Sequence, residues 1–310
     1  MGGTRSRYPA LCGSAGAAPP FPLRHNQRDR SPTDGMPAWV IWEADVSVGD
    51  LDSAVVTRPV GPVRVLQLNR PERLNAIDRE MALQLQAALR DVAQDAACRC
   101  VLLTGKGRAF CAGQALPGPG EDELPRDIAG LIRERYLPIV LSLHRLEVPV
   151  VAAVNGLATG AGFSLALAAD LRIAAESAWF SSGFERIGLV PDAGATYFLP
   201  RLLGLSKALE VVLLGERLAA TAALDLGLVA QVLPDPGFEA AAIGFAERLG
   251  AGPTKAFAGS KRAIWSSLSA SIEDQLELEA TLQQASSETH DFSEGLASFG
   301  AGRRPHFTGN

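Results

Sequence analysis

Apolar residues form short runs along the middle of the chain, and amphipathic stretches lie between them. The runs that predict buried strands cover 62–68, 100–104, 149–155 and 171–175. The stretches that predict helices cover 78–95, 128–146 and 162–170, the last of them almost free of charge. Because strands alternate with helices, the sequence predicts an α/β core over residues 55–200.

The pattern changes near residue 200, where the apolar positions take up a helical period and keep it. The predicted helices cover 204–215, 219–226, 237–249, 253–268, 270–288 and 290–299. This hydrophobic pattern predicts a second, all-helical region over residues 201–310. At the other end, residues 1–50 carry scattered proline and glycine without any period, which predicts a disordered extension.

The composition argues against several classes of protein. The formal net charge is -5 and no long basic run is present, so we expect no nucleic-acid partner. No run reaches the roughly 18 apolar residues of a membrane-spanning helix. The four cysteines form no C-x-x-C pair and have no metal-spaced histidine, so we expect reduced thiols, no metal centre and a cytoplasmic location.

Candidate chemistry concentrates in two glycine-containing loops. In VNGLATGAGFSLALAADLRI, Gly156, Gly160 and Gly162 are spaced G-x-x-x-G-x-G, which is neither the dinucleotide fingerprint nor a P-loop. Such glycines allow either a ligand or a packed neighbour to approach the main chain, and this stretch favours neither interpretation. The loop GKGRAFCAGQAL at 105–116 also follows a predicted strand. N–H groups of two such loops can together stabilise a negatively charged oxygen atom.

Five stretches, in order, resemble a known family: LNRPERLNAID, LLTGKGRAFCAGQAL, PVVAAVNGLATGAGFSLALAADLRIAAESAWF, GLVPDAGATYFLPRLLG and EGLASFGAGRRPHFTG. Together they resemble the crotonase (enoyl-CoA hydratase/isomerase) superfamily over roughly residues 60–309. The resemblance implies a spiral of ββα turns with a helical C-terminal region that builds homotrimers or hexamers. It also implies an acyl-CoA thioester as substrate and no separate cofactor, because coenzyme A is part of that substrate.

The resemblance assigns roles to individual residues. The thioester oxygen would accept hydrogen bonds from the main-chain N–H groups of Gln114 and Ala161. The residues that would contact the substrate are Arg73, Ala76, Ala112, Leu116, Gly160, Ser164 and Phe184. In the tail, Arg303, Arg304 and Phe307 fall where family members contact the CoA nucleotide. One departure is Ala115, which replaces the family's usual aspartate.

The side chains at these positions favour proton transfer over water addition. Hydratases of the family hold water with two glutamates, and Ser164 and Phe184 occupy those positions here. Asp192 in VPDAGAT stands where several isomerases of the family carry their acid/base. The motif sequences most closely resemble those of an isomerase of aromatic acid breakdown. We therefore expect an acyl-CoA isomerase acting on a double bond or a ring epoxide. An apolar pocket would raise the pKa of its base, Asp192.

Two other functions stay open at this point. The first is an enoyl-CoA hydratase, in which Glu185 takes the place of the glutamate expected at position 184. The second is a catalytically weak member of the family that binds a CoA ester or a partner subunit.

Overall fold

A computed structural model describes residues 53–117 and 126–310. The predicted disorder of residues 1–50 lies outside these ranges. In the described residues the strands are β1 (Val55–Val60), β2 (Val63–Leu68), β3 (Cys100–Gly105), β4 (Ala109–Cys111), β5 (Val150–Val154), β6 (Leu157–Thr159), β7 (Leu171–Ala175), β8 (Trp179–Ser181), β9 (Leu218–Ala219) and β10 (Gln231–Leu233). The helices are α1 (Arg79–Gln94), α2 (Ile128–Arg145), α3 (Ala161–Ala168), α4 (Ala195–Leu203), α5 (Leu205–Leu214), α6 (Ala220–Asp225), α7 (Phe238–Gly250), α8 (Thr254–Ser267), α9 (Ile272–Ser287) and α10 (His290–Gly300).

The strands form two sheets. Six strands lie in the order β1-β2-β3-β5-β7-β10, and four lie in the order β4-β6-β8-β9. In the larger sheet β1 pairs antiparallel with β2, and every other neighbouring pair is parallel. In the smaller sheet β4, β6 and β8 are parallel, and β9 runs antiparallel to β8.

A β-β-α unit repeats three times along the chain. The units are β3-β4-α2, β5-β6-α3 and β7-β8-α4, and in each the first strand joins the larger sheet while the second joins the smaller one. The chain therefore advances by one strand in both sheets with every turn, which is the spiral that the resemblance implied. The loops that follow β4 and β6 come from consecutive turns, and this brings them side by side.

The core lies between the sheets and the helices that cover them. Strands β3 and β5 are buried throughout, as continuous apolar strands in a parallel sheet should be. Helix α1 starts at Asp78, whose carboxylate accepts the N–H of Met81 at 2.8 Å, and it buries Met81, Leu85 and Leu89. All eight residues of α3 are buried, in keeping with its lack of charge.

The prediction that residues 201–310 are entirely helical is wrong in detail. Strand β10 adds to the edge of the larger sheet beside β7, and β9 pairs with β8. Helix α7 packs against β2, β3 and β5, so it covers the core instead of belonging to a separate layer. All described residues belong to one compact unit. None of the described helices is long and apolar enough to cross a membrane.

Candidate active site

The loops that follow β4 and β6 touch through their main chains. A Cβ atom on Gly113 would lie 2.9 Å from the carbonyl oxygen of Thr159 and 3.2 Å from the main-chain nitrogen of Ala161. No side chain fits at Gly113, whose φ of +92° is also in the region that favours glycine. Gly113 therefore brings the main chain of residue 114 next to the start of α3.

The main-chain N–H of Gln114 is directed by a parallel β-bridge between Ile77 and Gln114. Ile77 donates to the carbonyl of Gly113 at 2.7 Å and accepts the N–H of Ala115 at 2.9 Å. In a parallel bridge these bonds use the groups on either side of Gln114, so its own N–H points away from Ile77. It takes no part in this bridge and is therefore available to a ligand.

The main-chain N–H of Ala161 is available for a different reason. Ala161 is the first residue of α3, and the first N–H groups of a helix have no partner within it. The first bond within α3 runs from the N–H of Ser164 to the carbonyl of Gly160 at 3.0 Å. Gly160 has a φ of +55° and offers no side chain to cap the helix. The positive end of the helix dipole therefore lies beside Gln114.

A buried asparagine holds the loop before α1 against the loop between β3 and β4 and the start of β4. Asn75 donates its side-chain amide to the carbonyls of Lys106 at 3.0 Å and Ala109 at 2.8 Å, and its Oδ1 accepts the N–H of Arg70 at 2.9 Å. Leu74 and Asn75 both have φ in the left-handed region, at 54° and 56°. Strain of this kind often marks functional loops.

The four residues predicted to contact CoA lie on the loop before α1 and on the loop that follows β4. The N–H of Ala112 donates to the carbonyl of Leu74 at 3.0 Å, so the two loops run side by side. Arg73 is exposed, Ala76 and Ala112 are half-buried, and the Leu116 side chain is 48% exposed. The structure thus places these residues on one surface, and their contacts with CoA remain predictions.

Asp192 lies in a tight turn that leads into α4. The carbonyl of Asp192 accepts the N–H of Ala195 at 3.0 Å, while Ala193 adopts a φ of 47°, which is strained for a residue with a Cβ atom. The carboxylate atom Oδ1 is buried and has no hydrogen-bond partner among the described residues. Burial raises the pKa of Asp192 to about 6. The turn therefore holds a carboxylate that can take up or release a proton near neutral pH.

Neither residue at the expected hydratase positions offers a carboxylate. Ser164 is fully buried, and its hydroxyl donates to the carbonyl of Gly160 at 3.3 Å, so in this structure it supports the loop rather than facing solvent. Phe184 is buried at the start of the short 3-10 turn Glu185–Ile187. Substrate contacts of Ser164 and Phe184 remain predictions.

Glu185 lies next to Gly215, at the C-terminal end of α5. A Cβ atom on Gly215 would lie 1.9 Å from Oε1 of Glu185. This oxygen also lies 3.5 Å from Nε of Arg186. Its second oxygen, Oε2, is buried without a partner in the described part of the chain. The main-chain contact between Gly113 and Ala161 does not involve Glu185.

The sequence analysis did not identify Tyr136 on α2. Its side chain is 1% exposed, and its hydroxyl donates to Oε1 of Gln114 at 2.8 Å. Its pKa is raised well above the usual value, first by burial and then by the Cys111 thiol and the Asp192 carboxylate. No motif marks this residue, and only the packing of α2 reveals its contact with the loop.

The tail and the histidines contribute other contacts. Arg303 pairs with both carboxylate oxygens of Glu294 on α10, at 2.6 and 2.8 Å, while Arg304 is exposed.

His144 packs against the rings of Phe198 and Trp265. Among residues 53–117 and 126–310, no group of three or more His, Cys, Asp or Glu side chains could hold a metal ion.

Comparison with known proteins gives a consistent result. A sequence model described as enoyl-CoA hydratase/isomerase matches residues 60–310. A Rhodobacter capsulatus protein named "probable enoyl-CoA hydratase" is 44% identical over 245 residues, which cover 79% of this chain and 94% of that protein. The 1,2-epoxyphenylacetyl-CoA isomerase of Escherichia coli is 43% identical over 249 residues, which cover 80% of this chain and 95% of the relative.

A solved structure of similar fold extends this result. The enoyl-CoA hydratase of Bacillus anthracis superimposes with a TM-score of 0.78 at 32% identity, covering 83% of this chain and all of that one (100%). The family match, these identities and the β-β-α spiral agree with one another. The chain is accordingly a member of the crotonase superfamily, the enoyl-CoA hydratase/isomerase family, whose enzymes act on acyl-CoA thioesters.

Proposed function

We propose that this enzyme is an acyl-CoA isomerase that forms a thioester enolate and moves a proton with Asp192. The observation that carries this proposal is the buried, unpartnered Oδ1 of Asp192, whose pKa is raised to about 6. A carboxylate without a hydrogen-bond partner in the described residues costs free energy to bury, and such a cost is commonly retained where the group reacts. The similarity to the 1,2-epoxyphenylacetyl-CoA isomerase supports the same reaction class.

The reaction would proceed through two proton transfers. The Asp192 carboxylate removes a proton from a carbon of the acyl group, and the electron pair of the broken C–H bond moves toward the thioester oxygen. The N–H groups of Gln114 and Ala161 stabilise the resulting negative charge, and one such donor contributes about 2.7–4 kcal/mol in other enzymes. The protonated Asp192 then returns the proton to a different carbon.

The substrate and its surroundings follow from the same proposal. An acyl-CoA thioester supplies the carbonyl oxygen, coenzyme A is part of the substrate, and no separate cofactor or metal takes part. Arg73, Ala76, Ala112 and Leu116 would contact the CoA portion, and Gly160 and Phe184 would contact the acyl portion. We place this reaction in the cytoplasm, as expected from the cysteine usage.

Incubation with acyl-CoA esters in heavy water would test the reaction. The parent should incorporate deuterium into the acyl group, at a rate that rises with pH near 6 because Asp192 must lose its proton to act as a base. Asp192→Asn keeps the shape and removes the base, so exchange should fall by about 10²–10⁴-fold while CoA-ester affinity stays nearly constant. The matched control is Asp235→Asn, at an exposed aspartate whose carboxylate accepts from Ser177. Binding of CoA esters without any exchange would instead indicate a catalytically weak binding protein.

Hydration is the second candidate function, and Glu185 supports it. Its Oε2 is buried without a partner in the described part of the chain, and similar proteins from Rhodobacter capsulatus and Bacillus anthracis bear hydratase names. A hydratase would add water to crotonyl-CoA quickly, keep this activity in Asp192→Asn and lose it in Glu185→Gln. Slow hydration by the parent, together with loss of exchange in Asp192→Asn, favours the isomerase.

We also propose that the chain forms homotrimers or hexamers. Large apolar side chains are exposed on α5 and on α8–α10, including Leu205 and Leu213 at 70% and Phe299 at 89%. Helices α8, α9 and α10 line an open groove of about 1040 Å³, largely with apolar residues. Exposed apolar surface of this extent is typical of a protein interface, and a second copy of the chain is the occupant we propose.

A further inference from the structure

Tyr136 is the only described side chain whose hydrogen bond reaches the side chain of Gln114. The phenol donates to Oε1 of Gln114 at 2.8 Å, and Nε2 of Gln114 donates to the carbonyl of Ala115 at 2.9 Å. Both ends of the Gln114 amide are therefore held, one by a helix and one by the loop itself. The N–H of Ala115 also donates to the carbonyl of Ile77 at 2.9 Å, and this bond restricts rotation of the main chain next to residue 114.

A proline within α2 allows a neighbouring helix to hold the turn that carries Tyr136. Pro138 has no N–H, so the carbonyl of Glu134, four residues earlier, lacks its usual helical partner. The side chain of Gln86 on α1 supplies a replacement, because its Nε2 donates to the Glu134 carbonyl at 2.8 Å. The same nitrogen lies 2.9 Å from the carbonyl of Arg135, the residue before Tyr136. The bond from α1 thus holds α2 at the turn that carries Tyr136.

We propose that Tyr136 is a positioning residue for the oxyanion hole: by holding the Gln114 side chain, it aims the main-chain N–H of Gln114 at the thioester oxygen. This inference rests on the proposed function. The chain of contacts runs from Gln86 to the α2 carbonyls, through Tyr136, to Gln114. A hydrogen-bond donor is most effective when it is held in place before the charge develops, and a displacement of about 1 Å can cost 10²-fold in rate.

The phenol is well suited to remain a donor. Because burial and the nearby Cys111 and Asp192 raise its pKa, it stays protonated throughout the pH range in which Asp192 titrates. Loss of the hydroxyl should therefore alter the oxyanion hole and leave the titration of the base in place.

The test combines kinetics with the infrared spectrum of a bound acyl-CoA labelled with ¹³C at the thioester carbonyl. In the parent, the two N–H groups should lower the carbonyl stretching frequency relative to that of the free ester. Tyr136→Phe should lose part of this shift and reduce deuterium exchange roughly tenfold to a hundredfold, less than the 10²–10³ lost with a whole donor. KM and the pH midpoint near 6 set by Asp192 should stay as they are in the parent.

Two further variants make the result decisive. Gln114→Met keeps the main-chain N–H but breaks the link without altering the core, so it should reproduce the effect even where Tyr136→Phe folds poorly. The double variant should be no worse than either single one, because both remove the same interaction. Tyr197→Phe is the matched control, at a tyrosine on α4 that is 42% exposed, and it should behave as the parent does.

The outcomes separate the two proposals. A parent without any carbonyl shift or exchange overturns the proposed oxyanion hole, and the role of Tyr136 falls with it. A parent that shows both, with Tyr136→Phe and Gln114→Met also unchanged, refutes the positioning role alone. Additive losses in the double variant would likewise contradict it, since the two side chains would then act separately.

Discussion

Asp192 combines two unfavourable features within three residues of chain. Its Oδ1 is buried without a partner in the described residues, and the next residue, Ala193, has a φ of 47°. Each feature costs stability, by about 1–3 kcal/mol for the backbone strain alone. A turn with such costs holds a carboxylate in a place where solvent would not stabilise its charge. The same environment that weakens the fold therefore makes Asp192 a better base at neutral pH.

We predict that Asp192→Asn stabilises the protein at neutral pH. The pKa of Asp192 is raised from 3.8 to about 6, so the folded state binds the proton more tightly than the unfolded state does. Stability from this group is present at low pH and is lost as pH rises from about 4 to about 6, a loss of order 1–3 kcal/mol. Asparagine carries no such charge. Urea denaturation should therefore show a more stable variant near pH 7 and a much smaller difference near pH 4.

A control makes that comparison specific. Asp235→Asn, at an exposed position, should be no more stable than the parent near pH 7. An advantage for Asp192→Asn of equal size near pH 4 and pH 7 would show that the effect comes from packing and not from the raised pKa.

At the scale of elements, the sequence predicts the segments that have a periodic hydrophobic pattern. It does not predict short segments that lack such a pattern. The helices predicted at 78–95 and 128–146 are observed at 79–94 and 128–145, because long amphipathic patterns determine helices locally. Strands β4, β6 and β8 have three residues each, and the sequence pattern assigns them to loops or to no element. Three residues show no period, and these strands exist because successive turns of the spiral pair with each other.

Some residues of the candidate site can be predicted from local sequence motifs, and others cannot. The motifs identify Gln114, Ala161 and Asp192 as candidate site residues. The structure places Gln114 and Ala161 in adjoining loops. Tyr136 and Gln86 could not be inferred in this way, since their contacts join helices whose relative packing is not written in any local pattern. Pro138, inside the helix predicted at 128–146, is the one sign of such an interaction in the sequence, because a proline removes a donor that another group must replace.

The pairing of Gln86 with α2 can be tested by a double-mutant cycle. Gln86→Met removes the donor to the carbonyls of Glu134 and Arg135, which should cost about 1–3 kcal/mol in the free energy of unfolding. Pro138→Ala restores a main-chain N–H that can reach the carbonyl of Glu134, so Gln86→Met should cost less in this background. Urea denaturation of the four proteins would measure the difference. Gln94→Met, at the exposed end of α1, is the control. Equal costs in both backgrounds would disprove the exchange of donors.

At the scale of the whole molecule, Arg99 connects regions distant in sequence. Its guanidinium donates to the carbonyl of Gly252 at 2.6 Å, to Oγ1 of Thr254 at 3.1 Å and to the carbonyl of Phe307 at 2.9 Å. Asp291, on α10, accepts the N–H groups of Thr308 and Gly309. The tail is thus held to the start of α8 and α10, and removing it should destabilise the fold as well as affect any contact with CoA.

The apolar faces of α8–α10 have no partner in the described chain, and the last prediction concerns them. Light scattering at micromolar concentration should give three or six times the 32.6 kDa of one chain. Leu276 lines the groove of α8–α10 and is 57% exposed, so Leu276→Glu would place an unpaired charge in the proposed interface and should shift the protein toward monomer. Leu224→Glu, on α6 outside the groove, makes the same change in charge and should leave the mass unchanged. A monomeric parent would exclude the oligomer, whereas an intact oligomer of Leu276→Glu would move the interface away from this groove and toward α5.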